Sequence, residues 1–363
     1  MTRSTYPMPP GDIDHPTVWR GDRIEARDDL VMQMSGAMIA DIKSALAIVK
    51  ARGLEATRFT REEFPLPNSA GQIKAILAAI EGGRGFALVR GFPMEGISDE
   101  DADLIFWGLG THLGTAVSQN SYGHILGHVR NLDLNINQTN VRGYQTTVEL
   151  AYHNDQSDVI ALLCVRPAKS GGQSSLVSVG AVYNEMRRQR PDLVAELFQP
   201  FYIDRRGEQG REDEGDEPYY AMPVLSYHKG LLNARYIRGY IMSAQRFPEV
   251  PRLTEKQLAA LDLFDEISGS PGMALDFYMQ PGDLQLANNY AVFHSRTSFE
   301  DFPEAAKRRN LVRLWLCIPN SRELPPCFEK RFGSCEPGAV RGWIPARRRA
   351  EDAPHEEFNL ERL

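Results

Sequence analysis

The sequence predicts a mainly β fold, a sandwich or barrel with helical insertions, built as one large domain. From about residue 115 onward, short apolar runs alternate with turn residues, which is typical of strands packed into a sandwich or barrel. The 363 residues are enough to bury a sizeable core, and the hydrophobic fraction of 42% is ordinary for a globular enzyme. The runs that carry this prediction are 160–165, 176–179, 275–279, 284–287 and 311–318.

The N-terminal third is predicted as helix, helix, strand, helix. Residues 32–52 have apolar side chains at helical spacing and are followed by a glycine, a common end of a helix. A second helix covers 70–81 and stops at a glycine pair. Residues 85–91 form a β-rich run between glycines, which indicates a buried strand. Ser98, followed by acidic residues, is expected to cap a third helix that reaches about Leu113.

The flanks and insertions differ in composition from the rest of the chain. Residues 1–30 are rich in proline and charge and are expected to form an N-terminal arm, while 346–363 form a charged C-terminal tail. The domain between them, 31–345, contains two further helical stretches, at 182–189 and 255–267. A polar loop at 205–218 has almost no apolar content, so it is either a solvated surface excursion or a lid.

Charge and composition exclude several classes of function. The chain has 41 basic and 48 acidic residues and a net charge of −7, which argues against nucleic acid or an anionic membrane as the main partner. No run reaches the roughly 18 apolar residues of a membrane span, and the N-terminus has no apolar signal core. The four cysteines form no C-x-x-C pair. We therefore expect a cytoplasmic protein.

Three residues predict a metal site. His153 and Asp155 are two positions apart in an extended segment, so their side chains point to the same face. The third candidate, His294, follows 141 residues later, after an apolar pair. Two histidines and one carboxylate form a facial triad that leaves three adjacent positions of an octahedron open, as non-haem Fe(II) oxygenases require. Other divalent first-row metals fit the same ligands.

Arginines downstream of His294 predict an anion site. Arg309 and Arg313 are four residues apart in an apolar stretch, so they share one face of a strand. A guanidinium there is costly unless it meets an anion, and its planar shape suits a carboxylate. A glycine turn at 171–175 leads into the next strand, and Ser174 could offer a hydroxyl to the same anion.

Three further features were considered for the site. His124 and His128 have helical i, i+4 spacing, but the glycines beside them argue against a helix and hence against a zinc site. Asn120 and Tyr122 precede the metal-binding strand and are candidates for contact with the substrate. A structural ion pair is the alternative role for Arg313.

These motifs, in this order, resemble the taurine dioxygenase / clavaminate synthase-like (TauD/TfdA-type) family of Fe(II)- and 2-oxoglutarate-dependent oxygenases. The resemblance runs from about residue 85 to about residue 319. It implies a double-stranded β-helix, or cupin-like jelly roll, flanked by helices. The matching residues are His153-x-Asp155, the turn from Pro167 to Gly171-Gly172 and Ser174, Pro281-Gly282-Asp283 with Asn288-Asn289, His294, Arg309 and Arg313.

The resemblance also implies the roles of the site residues. His153, Asp155 and His294 would bind iron, and Arg309 with Ser174 would bind the distal carboxylate of 2-oxoglutarate. Arg308 stays an alternative to Arg309, because the stretch after His294 is slightly longer than in the shortest members. Arg313 resembles the arginine with which some members bind an acidic group of the substrate.

The implied reaction is a hydroxylation of an unactivated C–H bond, with desaturation or cyclisation as variants. Three protein ligands and two oxygens of 2-oxoglutarate leave one position for O2, and the cosubstrate is converted to succinate and CO2. A carboxylate at position 155 fills the place that halogenases of the family leave open for chloride. We expect a small anionic substrate. The oligomeric state is left open, although the N-terminal arm and the C-terminal tail could both serve the subunit interface of a homo-oligomer. The alternative function is a cupin-like metal- or ligand-binding protein without turnover, which would have no need for a cosubstrate anchor such as Arg309.

Overall fold

The computed structural model describes residues 7–24, 29–136, 141–208, 215 and 217–347, and these ranges contain nine α-helices and seventeen strands. The helices are α1 Gly21–Ile24, α2 Gly36–Ala51, α3 Ala70–Ile80, α4 Asp99–Leu113, α5 Val179–Gln189, α6 Pro191–Leu197, α7 Arg238–Ala244, α8 Glu255–Ser268 and α9 Glu329–Phe332. The strands are β1 Val31–Gln33, β2 Phe86–Arg90, β3 Thr115–Val117, β4 Leu126–Val129, β5 Leu150–His153, β6 Val159–Arg166, β7 Ser170–Gly171, β8 Ser174–Ser178, β9 Pro200–Asp204, β10 Tyr219–Pro223, β11 Leu225–His228, β12 Leu231–Ala234, β13 Leu275–Phe277, β14 Leu284–Asn288, β15 Val292–Arg296, β16 Phe299–Glu300 and β17 Asn310–Cys317.

Two sheets form the centre of the molecule. The major sheet has seven strands in the order β1-β2-β14-β6-β17-β3, and β4 also pairs with β17. The minor sheet has four strands in the order β13-β8-β15-β5, all antiparallel. Neighbours in both sheets are far apart in sequence, so the core is held by long-range pairing. The arrangement is the jelly-roll sandwich of the predicted fold class, and the two sheets face each other.

The sheets and helices stack in four layers. Ile160 and Trp315 of the major sheet pack against Leu176 and Val292 of the minor sheet in one buried cluster. The other face of the major sheet is covered by α2, α3 and α4. The other face of the minor sheet, which includes Phe293, is covered by α5, α6 and α8. Successive strand residues therefore serve different layers, and each buried aliphatic or aromatic side chain contributes about 1.5–3 kcal/mol of transfer free energy.

The predicted helices are confirmed with small shifts of their ends. Ser98 caps α4, accepting a hydrogen bond from the backbone N–H of Asp101 at 3.1 Å. The helix predicted from residue 32 is α2, which begins only at Gly36, because residues 31–33 form the strand β1 and pair in parallel with β2. Ser35 is its N-cap and accepts from the backbone N–H of Met38 at 3.1 Å. All five apolar runs used for the fold prediction overlap strands.

The arm packs onto the domain over its described part, residues 7–24. The backbone N–H of Ile13 donates to Oδ1 of Asn184 on α5 at 2.7 Å, and the indole N–H of Trp19 donates to the carbonyl of Arg84 at 2.7 Å. At the base of the polar loop, the backbone N–H of Arg205 donates to the carbonyl of Pro218 at 2.8 Å. The middle of that loop, 209–214 and 216, and the tail beyond residue 347 lie outside the described residues. The choice between a lid and a surface excursion therefore stays a prediction.

None of the helices in the described ranges combines the length and the apolar character that crossing a bilayer needs.

Candidate active site

The pairing of β5 with β15 brings the three predicted metal ligands together. His153 ends β5 and lies opposite His294 on β15, with ring centroids 4.3 Å apart. Asp155 follows two residues after His153, and its Oδ2 is 3.9 Å from Nε2 of His294. One ligand atom from each residue lies within 4.8 Å of the others. Within the described part of the chain, no other group of three His, Cys, Asp or Glu residues meets this test.

Neighbouring groups orient two of the ligands. Nδ1 of His153 is 2.8 Å from the carbonyl of Ala151, which can only accept, so Nδ1–H donates and the lone pair of Nε2 is left for a metal. The indole N–H of Trp315 donates to Oδ2 of Asp155 at 3.0 Å. The backbone N–H of Asp155 donates to Oδ1 of Asn289 at 3.1 Å. These contacts hold the imidazole and the carboxylate before any ion binds.

The electrostatics suit a divalent cation. Burial and the neighbouring His153 lower the pKa of His294 to about 3, and burial likewise lowers the pKa of His153. Burial by itself would raise the pKa of Asp155, but Arg313 and the two imidazoles outweigh it, so this pKa is lowered. Near neutral pH the site therefore presents two neutral imidazoles and one carboxylate. Nδ1 of His294 is buried without a hydrogen-bond partner, which is consistent with a ligand that the protein alone does not supply.

Arg309 lies at one end of the same cavity. It is 4% exposed, and its Nη1 donates to the carbonyl of Val129 at 3.2 Å. Its guanidinium is 5.2 Å from the ring centre of Phe299. Burial lowers the pKa of Arg309 to about 10. Arg308, the alternative, is not among the cavity residues and donates instead to Oδ2 of Asp133 at 2.7 Å, on the outside of the protein.

Arg313 lies beside the metal ligands. It is 8% exposed, and its guanidinium is 4.3 Å from the ring centre of Tyr144 and 5.6 Å from that of Trp315. Its Nε donates to Oε1 of Gln119 at 2.5 Å. No carboxylate among the described residues forms an ion pair with it, so the ion-pair alternative for Arg313 has no partner there. Aromatic faces stabilise the cation without neutralising it, so it stays available to an anion.

Six of the eight predicted site residues share one cavity of about 350 Å³, a size that suits a small organic molecule. It is lined by the three predicted metal ligands together with Ser174, Arg309 and Arg313. Asn120 and Tyr122 are not among its lining residues. Oδ1 of Asn120 accepts the backbone N–H of Tyr122 at 3.1 Å, so this side chain closes a turn; a contact of either residue with substrate stays a prediction.

His124 and His128 do not form a metal site with a third ligand among the described residues. His128 lies on β4, as the flanking glycines indicated, and its Nε2 is 3.3 Å from Oδ2 of Asp103. Burial lowers the pKa of His124 to about 4.

Sequence reasoning missed many cavity residues, including five that contact or flank the predicted site residues. Strand alternation could have found Arg296, because it lies two positions after His294 on the same strand. Trp315, inside an apolar run, gave no such signal, and the other three depend on distant segments. These five residues are Gln119, Tyr144, Arg235, Arg296 and Trp315.

Known proteins resemble this chain over most of its length. The family model described as taurine catabolism dioxygenase TauD, TfdA family matches residues 50–315. FR-33289 synthase of Streptomyces rubellomurinus is 31% identical over 318 residues, which cover 85% of this chain and 91% of that protein. Taurine hydroxylase-like protein SAT17 of Stachybotrys chartarum is 26% identical over 318 residues, covering 84% of this chain and 79% of that protein.

Solved structures share the fold. An asparagine oxygenase in complex with Fe(II), 2S,3S-3-hydroxyasparagine and succinate is 17% identical with a TM-score of 0.58, over 79% of this chain and 93% of the other. The non-haem iron oxygenase OrfP in complex with Fe and alpha-ketoglutaric acid is 14% identical with a TM-score of 0.58, over the same shares. With its His–Asp–His site, this chain belongs to the TauD, TfdA family and is an Fe(II)- and 2-oxoglutarate-dependent dioxygenase that acts on a small molecule.

Proposed function

We propose that the protein hydroxylates an unactivated C–H bond of a small molecule whose acidic group binds Arg313. The observation that carries the proposal is a buried guanidinium beside the metal ligands with no carboxylate partner among the described residues. Leaving such a charge uncompensated costs several kcal/mol, so an anionic ligand gains free energy by binding it. The stacked Tyr144 and the bond to Gln119 hold its plane, which favours bidentate binding of a carboxylate or a similar oxyanion.

The division of labour in the cavity follows from the positions of the arginines. Arg309 is proposed to bind the distal carboxylate of 2-oxoglutarate, with the hydroxyl of Ser174 as a second donor. Ser174 lies opposite Arg296 in the pairing of β8 with β15, and it lines the same cavity as Arg309. Arg313, four residues further along the chain, is proposed to bind the acidic group of the substrate. The two anions are thereby held apart in one cavity, which sets which carbon of the substrate faces the metal.

The residues that line the cavity have separate proposed roles in the reaction. Bound iron, together with 2-oxoglutarate and O2, supplies the oxidising chemistry. His153, Asp155 and His294 would hold the ion, and the hydrogen bond from Trp315 would keep the Asp155 carboxylate oriented toward it. The carboxylate at position 155 occupies the place that a halide would need, which supports hydroxylation over halogenation. Apolar residues around the ligands, such as Ile160 and Leu162, exclude water from the reacting carbon.

An anaerobic titration tests the reaction class and the anchor together. Metal-free protein receives Fe(II) and then 2-oxoglutarate, and the weak visible charge-transfer band of the chelated keto acid is recorded. We expect His153→Ala to abolish the band. Arg309→Ala should raise the 2-oxoglutarate concentration needed for half saturation by about 10- to 100-fold, the worth of a charge-assisted hydrogen bond. Arg308→Ala, a matched removal of an outward-facing arginine, should leave the titration unchanged.

Two outcomes would refute this assignment. Wild-type protein that binds iron but gives no band at saturating 2-oxoglutarate would contradict the oxygenase assignment and favour a metal-binding protein without turnover. Equal effects of Arg308→Ala and Arg309→Ala would reject Arg309 as the specific anchor. Once the band is established, candidate anions can be screened by succinate release. Arg313→Gln should lower that release for a true substrate while leaving the band in place.

We also propose a cytoplasmic location and self-association, which stay predictions. Four free cysteines support a reducing compartment. Cell fractionation and sedimentation of the purified protein would test the two statements separately.

A further inference from the structure

A second buried arginine, Arg235, lines the same cavity as Arg313. Arg235 directly follows β12, is 4% exposed and lines the cavity. Its Nη1 donates at 2.7 Å to the backbone carbonyl of Asn154, the residue between the predicted metal ligands His153 and Asp155. Its Nε is buried without a hydrogen-bond partner. Among the described residues, no carboxylate forms an ion pair with it.

The two arginines reach the metal ligands from different parts of the fold. Arg313 is on the major sheet, whereas Arg235 belongs to a segment that bridges to the edge strand of the minor sheet, where His153 pairs with Ile237. Both guanidiniums line the cavity that also contains His153, Asp155 and His294, so both are close to the predicted metal site. The cavity therefore receives a buried positive charge from each of two separate parts of the fold.

The charges around the centre do not balance with a singly charged substrate. The positive charges are those of divalent iron and of four buried arginines without a carboxylate partner in the described ranges, Arg235, Arg296, Arg309 and Arg313. Four negative charges oppose these six: Asp155, the nearby Asp301, and the two carboxylates of 2-oxoglutarate. Of the other carboxylates that line the cavity, Asp204 and Glu208 pair with Arg246 and Arg142, and Glu149 is exposed to solvent. Two positive charges are left on buried groups, where uncompensated charge is costly.

We propose that Arg235 forms a second anion subsite and that the substrate of this enzyme is a small organic dianion. The inference rests on the proposed function, because it takes the metal, the cosubstrate and Arg313 in the roles given above. Either one doubly ionised oxyanion group or two singly charged ends satisfies it. In both cases one charge meets Arg313 and the other meets Arg235, and the target carbon is held over the metal between them.

Matched probe molecules test the charge requirement directly. The anaerobic complex of protein, Fe(II) and saturating 2-oxoglutarate is titrated calorimetrically with methylphosphonate and methanesulfonate, a dianion and a monoanion of the same shape, at a pH where the former is doubly ionised. A second pair, malate and lactate, represents two separate carboxylates against one. The visible band reports that 2-oxoglutarate stays bound. We expect the dianion of at least one pair to bind about tenfold or more tightly than its partner. The pair that shows the preference identifies the kind of dianion.

Substitutions then assign the preference to Arg235. Arg235→Gln should bring the affinity ratio within a pair close to one, and Arg235→Lys should retain much of it. Arg238→Gln is the control, because Arg238 also lines the cavity but pairs with Asp262 at 2.6 Å, and should leave the ratio unchanged. A general disturbance of the cavity by loss of the Asn154 contact would weaken both probes alike, so the ratio separates recognition from positioning.

The outcomes are distinguishable from failure of the proposed function. If wild-type protein shows the band but neither pair shows a preference, the second subsite is refuted and the oxygenase assignment stands. A preference that persists in Arg235→Gln would also refute it. If the band itself is absent in wild-type protein, the proposed function fails first. If Arg235→Gln does not fold, the wild-type ratios and Arg235→Lys still decide.

Discussion

Replacing Trp315 with phenylalanine tests how the protein orients its metal-binding carboxylate. The indole N–H of Trp315 donates to Oδ2 of Asp155 at 3.0 Å, and the ring is 6% exposed between the two sheets. Phenylalanine keeps most of the apolar contact and removes the donor. A hydrogen bond to a charged group contributes about 1.5–3 kcal/mol, and groups that orient metal ligands typically affect metal affinity by about 10- to 100-fold. We expect Trp315→Phe to weaken Fe(II) binding by about tenfold.

Trp107 provides a matched control for this substitution. Its indole N–H donates to the carbonyl of Phe59 at 2.8 Å, in the helical layer on the far side of the major sheet. Trp107→Phe removes a comparable, partly buried donor contact without touching the predicted metal site. Metal affinity is measured anaerobically by competition with a chelator of known affinity, and stability by urea unfolding of the metal-free proteins. Both variants should be less stable by about 1–2 kcal/mol.

The two readouts separate orientation of the ligand from general destabilisation. Orientation predicts a loss of Fe(II) affinity in Trp315→Phe alone. Equal Fe(II) affinity in wild-type protein and Trp315→Phe would show that the carboxylate does not need the indole and would refute the reasoning. Equal losses in both variants would mean that metal affinity merely follows stability, which also contradicts it.

Three further predictions concern groups outside the site. Arg341→Met should destabilise the protein by about 3–5 kcal/mol in urea unfolding, because Asp158, which is 2.7 Å from Arg341 and 1% exposed, loses its counter-ion. The double variant Arg341→Met, Asp158→Asn should regain part of the lost unfolding free energy. A double variant as unstable as Arg341→Met would contradict the pairing. Hydrogen bonding to Arg166 lowers the pKa of Asp99 below its ordinary value of 3.8, so the ionised Asp99 stabilises the protein fully above pH 3.8 and loses this effect as the pH falls through the lowered pKa. Asp99→Asn should therefore make the unfolding free energy fall less steeply with pH in this acidic range. An unchanged slope would contradict this role of Asp99. Gly282→Ala should lower the unfolding free energy by several kcal/mol, because φ of Gly282 is +86° and an added Cβ would lie 2.0 Å from the carbonyl oxygen of Phe92. A thermal midpoint equal to that of wild type would show that the turn relaxes and would contradict the prediction.

Local chain chemistry was sufficient for much of the architecture. The helices α3 and α4 and the strand β2 follow from apolar periodicity, a capping serine and bounding glycines, all of which act within a few residues. The helix α2 begins later than its periodicity suggests, because residues 31–33 pair with β2. That pairing is a contact between distant segments, which no local pattern encodes.

The site shows the same division residue by residue. The spacing of His153 and Asp155 predicted side chains that lie close together, as they do, and both arginines predicted to meet an anion, Arg309 and Arg313, line the cavity. Residues that touch the site from distant segments, such as Arg235, have no local signature. Asn120 and its neighbour Gln119 show what local reasoning cannot predict. The side chain of Asn120 accepts a backbone hydrogen bond within a turn, whereas the side chain of Gln119 donates to the carbonyl of Arg313.

The amino-acid sequence by itself indicated the fold class, the three residues predicted to bind metal and the likeness to Fe(II)- and 2-oxoglutarate-dependent oxygenases, because these depend on residue type and short spacing. The tertiary structure decided that β5 pairs with β15, which brings His294 to His153 across 141 residues of chain. It also decided that Arg309 faces the cavity and Arg308 faces outward. Charge balance in a buried space is a property of groups assembled from many segments, so the second arginine beside the metal site emerged only when the sheets were packed together.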